Sequence, residues 1–297
     1  MLFNIWFEEL PSSDSTTFFP PLQPRYQTII TPASWAFAIW GVIFPAELAF
    51  VVVQCLPSAR DSELVTSGVA WGWASTALFQ SLWQLTFAQE QALVSTVFLF
   101  IAWASLGGIV KRSAGAAPLD SKAADLLCRI PFAIHFAWLA AACSLNVSVV
   151  VVQGGGSVSD QLAAGLTCLA LVLVLATQCA ARPFVGRSVA AGVAAWALAA
   201  IASELSTPMD AAQCAAAGVP NDECNMISDL FDEETIVGVQ KTVLALSVVS
   251  VVTVVLGAVA APVPRFAAAA AAAAASAKSL PVPSSATTTT MMEVPLL

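Results

Sequence analysis

Seven stretches of this chain, at about 33–55, 65–87, 92–110, 128–152, 162–181, 186–205 and 236–260, each run for roughly 20 predominantly apolar residues. Such a run crosses the ~30 Å hydrocarbon layer as a helix, because there a helix satisfies its own backbone hydrogen bonds. The expected fold is therefore all-α: a polytopic transmembrane helical bundle of about seven spans, with no soluble catalytic domain. Pro57-Ser58, the Gly154-Gly155-Gly156-Ser157 run and Arg182-Pro183 supply turn chemistry between spans. Few residues separate the fifth and sixth spans, which leaves a re-entrant pair as the alternative there. Composition agrees with lipid as the main solvent. Charged residues make up 10% of the chain, against roughly 25% in soluble domains, too few to cover its surface in water.

The charges that exist are sorted. With the N-terminus outside, the inner connections and the tail hold Arg60, Lys111, Arg112, Lys122, Arg129, Arg182, Arg187, Arg265 and Lys278. The outer side holds Arg25, with Lys241 just inside the last span. That asymmetry is the positive-inside signature and places the C-terminus inside. A net charge of −8 with scattered basic residues argues against nucleic acid as a partner. The bilayer itself is the expected partner, though the sequence does not say which membrane.

The outer connection 206–234 is acidic, with Asp210, Asp222, Glu223, Asp229, Asp232, Glu233 and Glu234 and no basic residue. A solvated loop is the simplest account of it. It also carries Cys214 and Cys224, the only cysteines outside apolar runs. On an oxidising face they could close a short loop, which would stabilise by about 2–3 kcal/mol; two free thiols are the other reading. The remaining five cysteines read as small buried hydrophobes. The chain thus divides into an N-terminal segment 1–32, a four-helix region 33–152, a three-helix region 153–260 and a low-complexity tail 261–297. The tail contains nine alanines at 267–275, too short and uncapped a run to trust as a helix in water, and is expected to be disordered. Residues 2–10 are too short for a signal-sequence core and lack a small-residue cleavage site.

Several polar groups lie where lipid penalises them. Glu47 sits mid-span, two residues after Pro45, where a carboxylate costs roughly 2.5–3.5 kcal/mol unless it faces a partner or a cavity. Pro45 frees the carbonyl of Gly41 and opens a polar seam. Counting rise per residue along the helices puts His135, the only histidine, at a depth comparable with Glu47 in the inner half. The two could form a proton or ligand site; a protonated Glu47 bonded to a neighbouring helix is the plainer reading. One histidine has no cysteine or carboxylate at metal-site spacing, so no metal is expected. Gln80, Trp83 and Gln84 form an i, i+3, i+4 stripe placed, with Asn146, towards the outer half. Trp40, Trp83 and Trp138 lie deep enough to line a flat aromatic pocket, whereas Trp35, Trp71 and Trp73 read as interfacial anchors. Ordinary helix packing, with amides bonding between helices, remains the alternative for each. Ala190, Gly192 and Ala194 permit close helix contact within one chain or between copies in a homo-oligomer. No serine-hydrolase elbow, zinc-protease pair, phosphate-binding glycine loop or paired CxxC is present, and no enzyme activity is expected.

Residues 31–44, TPASWAFAIWGVIF, resemble the Trp-containing signature of the tryptophan-rich sensory protein family (TspO/MBR, translocator protein). LFQSLWQLTF at 78–87 is similar to the family's Asn-x-x-Trp helix, with Gln80 where Asn is usual. PFAIHFAWLAAACSLN at 131–146 resembles its Pro-aromatic…Trp…Leu-Asn helix. The likeness covers roughly residues 20–150, with spacing one residue off in the first motif and three between Pro131 and Asn146. It fits a longer, divergent branch: a TspO-like core plus extra C-terminal helices, lacking the family's opening helix and with no counterpart for 161–260. The resemblance implies a porphyrin-, haem- or sterol-type ligand among these helices, roofed by PPLQPRYQTIITP. Trp40, Trp83 and Trp138 would stack on it, and Asn146, Gln80 and Gln84 would orient it. The function expected is binding or transport of a hydrophobic planar small molecule, with a role in stress sensing. The alternatives are a proton-coupled transporter of another solute, using Glu47 and His135, and a scaffold subunit of a membrane complex.

Overall fold

The computed structural model describes residues 24–180, 186–208, 210–216 and 224–259. The N-terminal segment 1–23, the turn at Arg182-Pro183, Asp222, Glu223 and the tail 261–297 lie outside the described residues. Among the described residues there is no strand. A 3-10 turn, Ser34–Ile39, leads into α1, Trp40–Val53; then follow α2, Gly72–Ala88; α3, Ala92–Gly115; α4, Lys122–Gln153; α5, Val158–Ala180; and α6, Gly186–Ser206. Two short helices, α7 (Ala211–Ala216) and α8 (Ile227–Leu230), precede α9, Glu233–Val259. Five stretches are long and apolar enough to cross a membrane by length and composition: Ser34–Val53, Ala92–Gly115, Lys122–Gln153, Val189–Ser206 and Glu233–Val252. α2, at 17 residues, is shorter, and Val158–Leu171 is a short apolar stretch within α5.

The second helix departs from its expected start at residue 65. Leu64–Val69 forms one π-helical turn that ends at Ala70, whose φ of 44° and ψ of −137° cannot continue a helix. Apolar composition runs unbroken through this break, so hydropathy alone merges the two pieces. α4 starts earlier than expected, because Ser121 caps it by accepting from the backbone N of Ala124 at 3.4 Å. Arginines close helix ends. The Arg129 guanidinium donates to the carbonyls of Ser113, Ala116 and Ala117 at the end of α3 while its Nε bonds Asp125 at 3.0 Å. Arg112 donates to the carbonyls of Ser67 and Gly68 at 3.0 and 3.1 Å. Arg112 and Arg129 thus satisfy carbonyls of the kind that a helix leaves open at its C-terminus.

α4 is the centre of the bundle and packs on α1, α3, α5 and α6. α2 lies along α3, and α6 along α9. One core gathers α1, α3, α4 and one face of α6 around Ile43, Phe50, Leu99, Leu106, Phe132 and Leu139. A second gathers α5, α9 and the other face of α6 around Leu198, Ile201, Leu205 and Val243. The small residues of α6 allow an approach close enough for side chains of α9 to reach its backbone. Ser247 Oγ donates to Ala195 O at 3.1 Å, and Gln240 Nε2 to Ala202 O at 3.3 Å. Ala190 and Ala194 are buried within the chain, and Gly192 faces outwards.

Candidate functional site

Helical spacing brings chemistry from three helices to one interior face. Trp40 and Glu47 are two turns apart on α1, as are Trp73 and Gln80 on α2, and His135 faces both from α4. His135 Nδ1 lies 2.7 Å from Glu47 Oε1, and Nε2 lies 2.8 Å from Gln80 Oε1. Trp73 Nε1 donates to the second carboxylate oxygen of Glu47 at 3.0 Å. Glu47, His135 and Gln80 are all buried. Both ring nitrogens face oxygens, so which group donates in each of these two bonds depends on the ring tautomer and on the orientation of the Gln80 amide. The depth comparison therefore placed Glu47 and His135 together, but Gln80 is level with them rather than further out. Trp73 is a hydrogen-bond donor to the buried acid and not merely an interfacial anchor.

The aromatic residues build one wall of this face. Trp40 stacks on Phe44 with ring centroids 5.0 Å apart and meets His135 edge-on at 5.4 Å. Trp138, 3% exposed, sits behind it, edge-on to Trp40 at 6.4 Å and to Phe37 at 5.7 Å. Further along α4, Asn146 is a second polar node. Its Oδ1 accepts from Trp83 Nε1 at 3.3 Å, and its Nδ2 donates to Ser95 Oγ and Thr96 Oγ1, each at 3.0 Å. Gln84 is half-buried and belongs to neither hydrogen-bonded group. Ser95, Thr96, Phe37 and Phe44 join the site without having been singled out from sequence; two hydroxyls opening α3 beside an apolar run were the available signal.

The helices α1 and α2 meet where Trp73 touches Glu47 and Phe50, and do not pack closely elsewhere. The 3-10 turn that leads into α1 leans on α6. Trp196 Nε1 donates to Ala36 O at 2.9 Å, Trp35 meets Trp196 edge-on at 4.8 Å, and Ala33 N donates to Ala200 O at 3.0 Å. α2 ends instead against α4, where Gln153 Nε2 donates to Glu90 O and Gln153 Oε1 accepts from Ala92 N. α1 and α2 thus each reach α4 through hydrogen-bonded side chains while making few contacts with one another. Trp40, Trp83 and Gln84 keep part of their surface exposed.

The segment before the Trp motif runs from Glu90, after α2, to Glu204, near the end of α6. Arg25 and Tyr26 bond Glu90 at 3.3 and 3.1 Å, while Gln27 to Thr31 are all at most 5% exposed. Ile29 and Ile30 enter the second core, and Gly165 makes room for them, since a Cβ there would lie 2.7 Å from Ile29. It is a buried strap rather than a loose roof. Cys214 and Cys224 are joined in a disulfide, with Cα atoms 6.3 Å apart. Two acidic-loop carboxylates cap helices: Asp210 accepts from Gln213 N, and Asp232 from Thr235 N. The backbone and side-chain hydrogen bonds from Thr235 hold the Asp232 carboxyl below its usual range. No cluster of three His, Cys, Asp or Glu able to hold a metal occurs among the described residues.

A family model described as TSPO-like protein matches residues 2–219. The match extends beyond the region of motif resemblance at both ends and takes in 161–219, for which no counterpart was expected. Neither a curated protein nor a solved structure matches the chain.

Proposed function

We propose, from the premise that the chain belongs to the TSPO-like protein family, that it holds a hydrophobic planar ligand of tetrapyrrole or sterol type in a cleft between α1 and α2. The observation that carries this reading is that Trp40, Trp83 and Gln84 stay partly accessible on two helices that make few contacts with one another, beside α4 groups that are themselves hydrogen-bonded. An apolar site with a few oriented polar groups suits such a ligand. Trp40 and Trp83 supply the faces and Gln84 a free-standing amide; Trp138 and Asn146 act from behind, fixing Trp40 and Trp83. In this proposal all seven long helices cross the bilayer, α2 and α5 included, with the N-terminus outside and the strap on the outer face.

Titration of the purified protein with protoporphyrin IX, followed by tryptophan quenching, tests the reading. Saturable binding is expected, with affinity about fivefold weaker in Trp83→Ala, since a ring contact contributes on the order of 1 kcal/mol. Equal affinity in the two proteins would count against this site. The buried Glu47–His135 couple favours a second reading, a proton-coupled carrier. It differs from the first in requiring transport to depend on the proton gradient.

A further inference from the structure

We infer that the Cys214–Cys224 disulfide is a redox-controlled fastening for the strap over the ligand cleft; this rests on the proposed function for what the strap covers. Besides Ile29 and Ile30 in the second core and the Ala33–Ala200 bond, the start of the strap has two unlike polar attachments. Its first residues, Arg25 and Tyr26, hold Glu90 through exposed contacts, and pairs of that kind contribute little. Its other attachment is Gln27, 1% exposed, with three bonds. Gln27 Nε2 donates to Glu204 Oε1 at 2.9 Å, Asn225 Nδ2 donates to Gln27 O at 2.6 Å, and Ile227 N donates to Gln27 Oε1 at 3.4 Å.

Two of those three partners follow directly on Cys224. The disulfide ties Cys224, and hence Asn225, to Cys214 on α7, which is fully buried. Cutting it restores conformational freedom to the chain that carries Asn225 and Ile227, and so weakens their hold on Gln27. Gln27 then keeps only its bond to Glu204, and its buried carbonyl and amide oxygens lose their donors, which weakens its hold. Release of Gln27 bears on the cleft through a short covalent path. Thr28 and Thr31 form a turn with Thr31 N donating to Thr28 O at 2.9 Å, Ala33 N holds Ala200 O, and the next turn carries Phe37 against Trp138 and runs straight into Trp40.

The chemistry needs a dithiol reductant on the face that bears this connection. One of its thiolates attacks Sγ of Cys224, the partly exposed sulfur, forming a mixed disulfide and expelling the Cys214 thiolate, which takes a proton. The second thiol of the reductant then displaces Cys224, which is protonated in turn. The reductant leaves as its own disulfide, two electrons poorer, and the protein carries two thiols. Cys55, Cys128, Cys143 and Cys168 are already free thiols, so the reductant changes nothing at them.

Hydrogen exchange of the full chain in lipid nanodiscs, with and without dithiothreitol, reads the fastening without any ligand. On reduction the amides of Thr28, Thr31 and Ala33 are expected to exchange at least tenfold faster, and those of α2 and α3 to stay unchanged. Cys214→Ser is expected to give the same pattern without reductant. Unchanged exchange at the strap after complete reduction overturns the inference, whether or not porphyrin binds. Faster exchange supports it. In the same samples, faster porphyrin association and dissociation on reduction places the strap over the ligand's path. Faster exchange with no porphyrin binding in either state retains the fastening and removes the ligand reading instead.

Discussion

Replacing His135 with leucine is expected to destabilise the bundle by about 3–5 kcal/mol, the cost of leaving the buried Glu47 carboxyl and Gln80 amide without the partner they share. Glu47 would keep only the Trp73 donor. Replacing Glu47 and His135 together by leucine removes the buried carboxyl along with its partner. It leaves only the neutral groups of Trp73 and Gln80 to satisfy, at roughly 1–3 kcal/mol. The double variant is therefore no less stable than His135→Leu alone, and the cycle is strongly non-additive. Reversible unfolding in mixed micelles measures all four proteins. Simple additivity would mean that Glu47 and His135 do not interact in the folded protein.

Trp138→Ala is expected to cost a further large amount, about 3–5 kcal/mol, for a different reason. The indole is 3% exposed and fills the space between Trp40 and Phe37; truncation leaves a void behind Trp40 that α1, anchored on α6, cannot easily close. Trp71 provides the comparison. It is 85% exposed, makes no such wall, and its alanine variant is expected to change stability by under ~1 kcal/mol. The same unfolding assay compares the two. Equal losses at Trp71 and Trp138 would contradict the packing described for the first core.

The pairing of Glu47 with His135 was legible because two physical rules converge on it. A carboxylate in lipid needs a partner, and constant rise per residue fixes depth from a count along the chain. The same count misplaced Gln80, because the break at Ala70 sits inside an apolar run and the second helix was started too early. Trp73 was read as a belt residue since a tryptophan near a helix start looks the same in sequence whether it faces headgroups or a buried acid. The burial of Gln27 to Thr31 could not be read at all. It is set by Gly165 on α5, Glu204 on α6 and Asn225 beyond α7, which become neighbours of the strap only once the C-terminal helices fold against it. For the alanines of α6, periodicity permits close contact but does not choose the partner; Ser247 and Gln240 on α9 occupy that role here.

Cleft, strap and disulfide all presuppose that the connection after α3 and the connection after α6 lie on opposite faces of one bilayer. Labelling with a membrane-impermeant maleimide in sealed vesicles, using Lys111→Cys in one protein and Asp210→Cys in another, each with the exposed Cys55 replaced by serine, measures this directly. Opposite accessibility of the two sites is the predicted result, and labelling of both from one side would contradict the arrangement.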